Sequence, residues 1–254
     1  MGRRRAVPRT TISPFKSEGR GTWLPHALPL NPRSHKGEIA VLRPSRRQLR
    51  EKIVPLLQAG DFPALTKLAG RESGVAAILM QFFYDPGALL YWRALEGLGL
   101  VAGSHPDQVH KLISRLLYLL NEDSGSNGWG AAAALGEIGR HRIALVQEII
   151  PMFVGFLEEP FSREPMLWGV GRLAEVHPEL LHEVLPVIVP FLTSAEPQLR
   201  ALAAWGLGKA RYRPAADAIM ALTGDEHPVQ LYDHGHLLET TVGQAAREAL
   251  TGLA

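Results

Sequence analysis

The densest run of chemistry-bearing side chains in this sequence is Asp225, Glu226, His227, Asp233, His234 and His236. On one strand His234 and His236 would share a face, as metal ligands often do. A turn is expected between them, however, and no helical His-Glu pair supports them, so the run reads as a solvated turn. His182-Glu183 is the single His-Glu dipeptide. A di-iron centre built on repeated His-Glu pairs therefore lacks its ligands, and neither metal nor cofactor is expected.

A second unusual segment runs from Asn121 to Gly130, with Asp123, Ser124, Ser126 and Trp129 among three glycines. Two readings stand side by side. It is either a recognition loop presenting Trp129 and backbone N–H groups to a ligand, or a joint between helix pairs with Trp129 in the core. It is no phosphate cradle, because Gly-Lys-Ser and Gly-Lys-Thr are absent. No Gly-x-Ser-x-Gly elbow occurs. The chain has no cysteine, which removes disulfides, thiolate catalysis and cysteine-bound zinc or iron–sulfur clusters. No catalytic residue is assigned.

The elements that position these residues follow from composition and period. The chain has 254 residues, 46% hydrophobic and 20% charged, enough for a substantial core. Its net charge of +2 hides an asymmetry: 13 of the 27 Lys and Arg, but 3 of the 25 Asp and Glu, lie in residues 1–52. A basic N-terminal stretch thus precedes an acidic remainder. Residues 1–44 have no sustained period and are rich in Pro, Gly, Ser and Arg, which predicts a flexible, disordered arm. The apolar run 180–192 is too short and too interrupted for a membrane span, and no membrane partner is expected. From Ser45, a plausible N-cap, the pattern turns helical through Leu49, Ile53, Leu56 and Leu57.

Self-similarity then dominates. Arg93-Ala94-Leu95-Glu96-Gly97-Leu98-Gly99 aligns with Ala133-Ala134-Leu135-Gly136-Glu137-Ile138-Gly139, with Trp168-Gly169-Val170-Gly171-Arg172-Leu173-Ala174 and with Trp205-Gly206-Leu207-Gly208-Lys209-Ala210. A weaker fifth copy centres on Leu250. The anchors Leu95, Leu135, Val170, Leu207 and Leu250 step by 40, 35, 37 and 43 residues, in or near the period of helical solenoids. Second helices are expected after each anchor, through Leu112, Ile113, Leu116 and Leu117, then Ile149, Ile150, Phe153 and Leu157, then Leu185, Ile188, Val189 and Leu192. Pro106, Pro178 and Pro214 sit where a helix starts, at which a missing N–H costs nothing. The recurring glycines and alanines permit close helix packing. Trp92, Trp168 and Trp205 share a repeat position; a groove of stacked indoles is conceivable, but repeated aromatics on helices are usually core.

One segment leaves the helical pattern. Val229–Tyr232 and His236–Thr240 flank Asp233-His234-Gly235, which predicts a small β-hairpin near the C-terminus, read as a cap on the last repeat. Thr241 with Gln244 matches a capping box for a final helix from Val242.

These segments resemble the HEAT-like repeats described in phycobilisome lyases. Asn121–Gly125, Gly128-Trp129-Gly130 and Gly136-Glu137-Ile138 more closely resemble a bacterial HEAT-repeat family. The resemblance spans residues 45–254. It implies an all-α, right-handed α-solenoid of helix pairs and, for function, a non-catalytic scaffold or adaptor in the cytoplasm that binds a protein partner. Such a partner is expected on the concave surface lined by second helices and on the 121–130 loop. The candidate contact residues are Arg115, Asn121, Asp123, Ser124, Ser126, Trp129, His182 and Glu183, with His110, Lys111, Gln147, Glu148 and Glu179 nearby in the pattern. Two alternatives remain: nucleic-acid binding led by the basic arm, and a lyase-like cofactor-handling role.

Overall fold

The computed structural model describes residues 44–121 and 130–253. The arm expected over residues 1–44, apart from Pro44, and the segment 122–129 lie outside the described residues. Ser45 caps α1 (Arg46–Ala59): Ser45 Oγ accepts from the Gln48 N–H and the Gln48 side chain accepts from the Ser45 N–H, a reciprocal capping box. This helix buries Leu49, Ile53 and Leu57, one stripe at helical spacing, and stops at Gly60, whose φ of 69° suits a residue without Cβ. Helices α2 (Phe62–Ala69) and α3 (Val75–Leu79) complete an irregular first unit.

Among the described residues four helix pairs and a last helix follow. The first helices are α4 (Leu89–Ser104), α6 (Ala131–His141), α8 (Pro160–Ala174), α10 (Pro197–Lys209) and α12 (Val242–Leu253), and each packs on the next. The anchors Leu95, Leu135, Val170 and Leu207 are fully buried. In the fifth copy the register differs: Leu250 is half-buried, while Ala246, Ala249 and Leu253 face the stack. The architecture is an α-solenoid of helix pairs. Close approach explains its glycines. A Cβ on Gly136 would lie 2.1 Å from the Gly169 carbonyl oxygen, and one on Gly171 would meet the Trp205 ring at 2.2 Å.

The second layer is less regular than the periodicity predicts. Only α5 (Pro106–Asn121) is a full helix. The next second element is 3-10 over Ile143–Leu145 and Gln147–Met152 before α7 (Phe153–Glu158); the following one is 3-10 over Pro178–Leu181, then α9 (Leu185–Ile188), then 3-10 over Val189–Thr193. Pro151, Pro186 and Pro190 remove backbone donors there, and the chain tightens instead of propagating a long helix. The last second element is Arg213–Ala215 with α11 (Ala216–Met220).

Between α11 and α12 lies the hairpin, β1 (Pro228–Asp233) and β2 (His236–Thr241). Asp233 pairs with His236, so the connection is the two-residue turn His234-Gly235 rather than three residues; both have positive φ, 43° and 84°. The Gln244 N–H donates to Thr241 Oγ1, which starts α12. The hairpin reaches beyond the last repeat. It lies on the first-helix row as far as α4, where Arg93 Nε donates to the Gly235 carbonyl at 2.9 Å and Arg93 Nη1 to Leu57 and Gln58 of α1. Among the described residues no helix is long and apolar enough to cross a membrane.

Candidate functional site

Under the hairpin, charges from successive repeats meet. Arg172 and Glu137 are both fully buried, with Arg172 Nε donating to Glu137 Oε2 at 2.6 Å and Nη2 to Oε1 at 3.2 Å. Arg172 Nη1 also donates to Asp233 of the hairpin at 3.0 Å. One turn along, Arg140 Nε donates to Glu175 at 2.8 Å, and Lys209 Nζ bridges Glu175 at 2.9 Å and Asp233 at 3.1 Å. Burial alone would raise the Glu137 carboxyl. The hydrogen bond with His141 and the charge of Arg172 overcome it and hold Glu137 at about 2. Burial would likewise lower Lys209, but its bond to Glu175 and the charge of Asp233 raise it. Glu137, Arg172 and Lys209 are thus charged at neutral pH.

An aromatic cluster seals its neighbour. Trp92 and Tyr232 stack at 5.7 Å, Trp92 and Trp168 meet at 5.1 Å, and Trp168 Nε1 donates to the Tyr232 carbonyl at 2.9 Å. Tyr232 Oη donates to Glu96 at 2.5 Å. Burial, with Glu96 beside it, pushes the Tyr232 phenol well above its ordinary range. Trp92, Trp168 and Trp205 are all buried, so the three indoles are core. The arrangement excludes solvent from Glu137 and Arg172 at its centre. Its chemistry is cohesion: it ties α4, α6, α8 and α10 to the hairpin.

Beside this core a cleft of about 520 Å³ opens between the hairpin and the starts of α4, α8 and α10. Pro86, Gly87 and Trp92 line it on one side, Glu164 and Gln198 on another, and Gln230, Leu237 and Glu239 from the hairpin. Burial, and then the nearby Glu196 carboxylate, raises the Glu164 carboxyl.

The residues singled out by sequence fare unevenly. Arg115 and Asn121 are exposed on α5, with Asn121 Nδ2 donating to the Leu117 carbonyl at 2.7 Å. His182 and Glu183 are exposed after the Pro178–Leu181 turn, 3.8 Å apart. The second element of the intervening repeat lies between these two pairs along the chain, and no contact joins them among the described residues. Asp123, Ser124, Ser126 and Trp129 lie outside the described residues. Of the acid–histidine run, Asp233 and His234 gather with Glu175 closely enough to hold a cation. The Lys209 ammonium already bridges both carboxylates there. Asp225 and His227 pair with Arg200 instead: Arg200 Nη2 donates to Asp225 at 2.7 Å.

The charged ladder was readable in principle. Glu137, Arg172 and Lys209 each stand two residues after an anchor, and Glu137–Arg172 and Arg140–Glu175 are each separated by 35 residues, the repeat step. Between the α6 and α8 repeats the charges invert, Glu then Arg at one position, Arg then Glu three residues on, and Lys209 keeps the cation in the following repeat. The cleft carries no such signal, since its residues come from three helices, both strands and the loop before α4.

Residues 160–210, the whole of α8 through α10, match the family model of the HEAT-like repeat. A stretch of 99 residues is 30% identical to an uncharacterized protein of Archaeoglobus fulgidus, covering 39% of this chain and 53% of that protein. The chain thus spans about half the length of the curated relative it matches. Among solved structures, an engineered protein superposes with a TM-score of 0.50 at 16% identity over 82% of this chain and 88% of its own. A designed armadillo repeat protein gives 0.47 at 18% identity over 83% and 95%.

Proposed function

We propose that this chain, an α-solenoid whose residues 160–210 match the HEAT-like repeat, is a non-catalytic adaptor that holds a protein partner on its second-helix face. One contrast supports this reading. Glu137, Arg140, Arg172, Glu175 and Lys209 of the first-helix row are spent on one another and on Asp233 beneath the hairpin, whereas His110, Lys111 and Arg115 on α5 are exposed and have no ion-pair partner among the described residues. His182 and Glu183 stand exposed in the same layer. Such unspent charges tune partner choice and association rate more than fold stability.

The segment 121–130 enters this reading as the sequence that follows α5, and the basic residues 1–44 as a second candidate contact. The test is capture from native lysate with the full chain, with Lys111→Glu/Arg115→Glu, and with His182→Ala/Glu183→Lys. A discrete protein held by the parent and lost from a face variant supports the reading. Retention by every variant, or capture of nucleic acid or a chromophore alone, refutes it.

A further inference from the structure

The two edges of the hairpin are treated differently. In a hairpin closed by a two-residue turn, the pair flanking the turn exchanges hydrogen bonds, and so does every second pair after it. The observed register therefore turns the main-chain groups of Gln230 and Tyr232 outward from β1, and those of Leu237 and Glu239 outward from β2. The β1 edge is satisfied by side chains. The Gln198 amide both donates to the Gln230 carbonyl, at 2.7 Å, and accepts from the Gln230 N–H, at 3.2 Å, while Trp168 Nε1 donates to the Tyr232 carbonyl. Among the described residues the β2 edge has no such cover: the sheet has two strands, and no third strand pairs with β2. Glu239 is exposed there, and Leu238 is 52% exposed.

Edges left open are templates for another strand, and natural sheets usually blunt them. Here one edge is capped at Gln230 and at the Tyr232 carbonyl, and among the described residues the other is open above a cleft. Leu237 and Glu239 line that cleft, so a residue paired opposite either one directs its side chain toward it. The charge within reach is negative: Glu164 and Glu239 line the cleft, Glu196 adds to its field at Glu164, and none of the three has an ion-pair partner among the described residues. This contrasts with the adjacent network, where every carboxylate meets an arginine or lysine.

We propose that the β2 edge and its cleft dock an extended segment of a partner protein by strand addition, with a Lys or Arg side chain of that segment seated between Glu164 and Glu239 beside Trp92. Main-chain bonds to Leu237 and Glu239 supply the register, and the acidic cleft supplies the choice of side chain. This surface is separate from the second-helix face and stands or falls without it.

The test is fluorescence anisotropy on the full-length chain with an end-labelled alternating Lys-Thr peptide. Two control peptides accompany it: an alternating Glu-Thr peptide, and the Lys-Thr peptide N-methylated at alternate backbone nitrogens. Saturable binding of the Lys-Thr peptide alone, weakening as salt rises, is expected, because exposed charge pairs are screened. Glu164→Gln with Glu239→Gln should weaken it by about tenfold, as expected for loss of charge-assisted bonds. Glu239→Lys, at an exposed position that leaves the fold intact, should abolish it. Equal binding of the N-methylated peptide overturns strand addition, and unchanged affinity in both acid variants overturns the cleft. A second-helix variant, Lys111→Glu/Arg115→Glu, should bind the peptide like the parent, which separates failure of this proposal from failure of the adaptor reading.

Discussion

Arg172 Nε lies 2.6 Å from Glu137 Oε2, and neither side chain is reached by solvent. The two residues hold equivalent places in adjacent repeats, on α8 and α6. A buried ion pair of this kind contributes less than its Coulomb energy suggests, since both ions were desolvated to form it. Removing one partner is another matter. Arg172→Met leaves Glu137 and Asp233 without their shared cation, and urea unfolding should show a loss of about 3–5 kcal/mol. In a double-mutant cycle with Glu137→Gln, the two losses should fall well short of additive; additivity would mean the pair is not coupled.

Acid should weaken the same junction in a defined window. The unfolded Glu137 carboxyl titrates near 4.5, and the folded one is held at about 2. Its contribution is therefore complete above 4.5 and declines as pH falls toward 2, because the unfolded chain takes up the proton first. Asp225, held at about 2 by its bonds with His227 and Arg200 against the effect of burial, adds in the same direction. Unfolding midpoints followed through that range should drop, and the drop should be shallower in Glu137→Gln.

Backbone contact between α6 and α8 gives a steric prediction. Gly136→Ala places a methyl 2.1 Å from the Gly169 oxygen, and a main chain cannot yield as a side chain can. A loss of about 1–3 kcal/mol is expected. Gly155→Ala, within α7 and with nothing inside 4 Å, should instead stabilise by about 0.5–1 kcal/mol through helix propensity. Thermal melting of the pair tests both signs.

Closure of the hairpin rests on Tyr232. Tyr232→Phe removes the donor that Glu96 accepts at 2.5 Å, deep under the hairpin. A buried carboxylate losing such a bond costs about 1.5–3 kcal/mol. Hydrogen exchange should rise first in residues 228–241 and only later in α6 and α8. Uniform acceleration across the stack would show that the hairpin does not open on its own.

The sequence by itself determined the helix pairs, the repeat step and the hairpin, because each leaves a local trace: apolar residues at helical spacing, glycine beside each anchor, and a His-Gly turn between β-rich runs. It also marked Ser45 and Thr241 as caps, since capping chemistry acts within four residues. It did not determine where the second layer breaks, as proline effects depend on what each segment packs against. Nor could it place the hairpin across the first-helix row, 142 residues from the Arg93 that fastens its turn. That docking decided the rest: it turned the Asp233–His234 acid cluster into a lysine-bridged ion network, covered Trp92 and Trp168 with Tyr232 and, among the described residues, left the β2 edge open over an acidic cleft. Such outcomes arise from contacts between distant repeats, and no local pattern encodes which side chains a folded-back strand will meet.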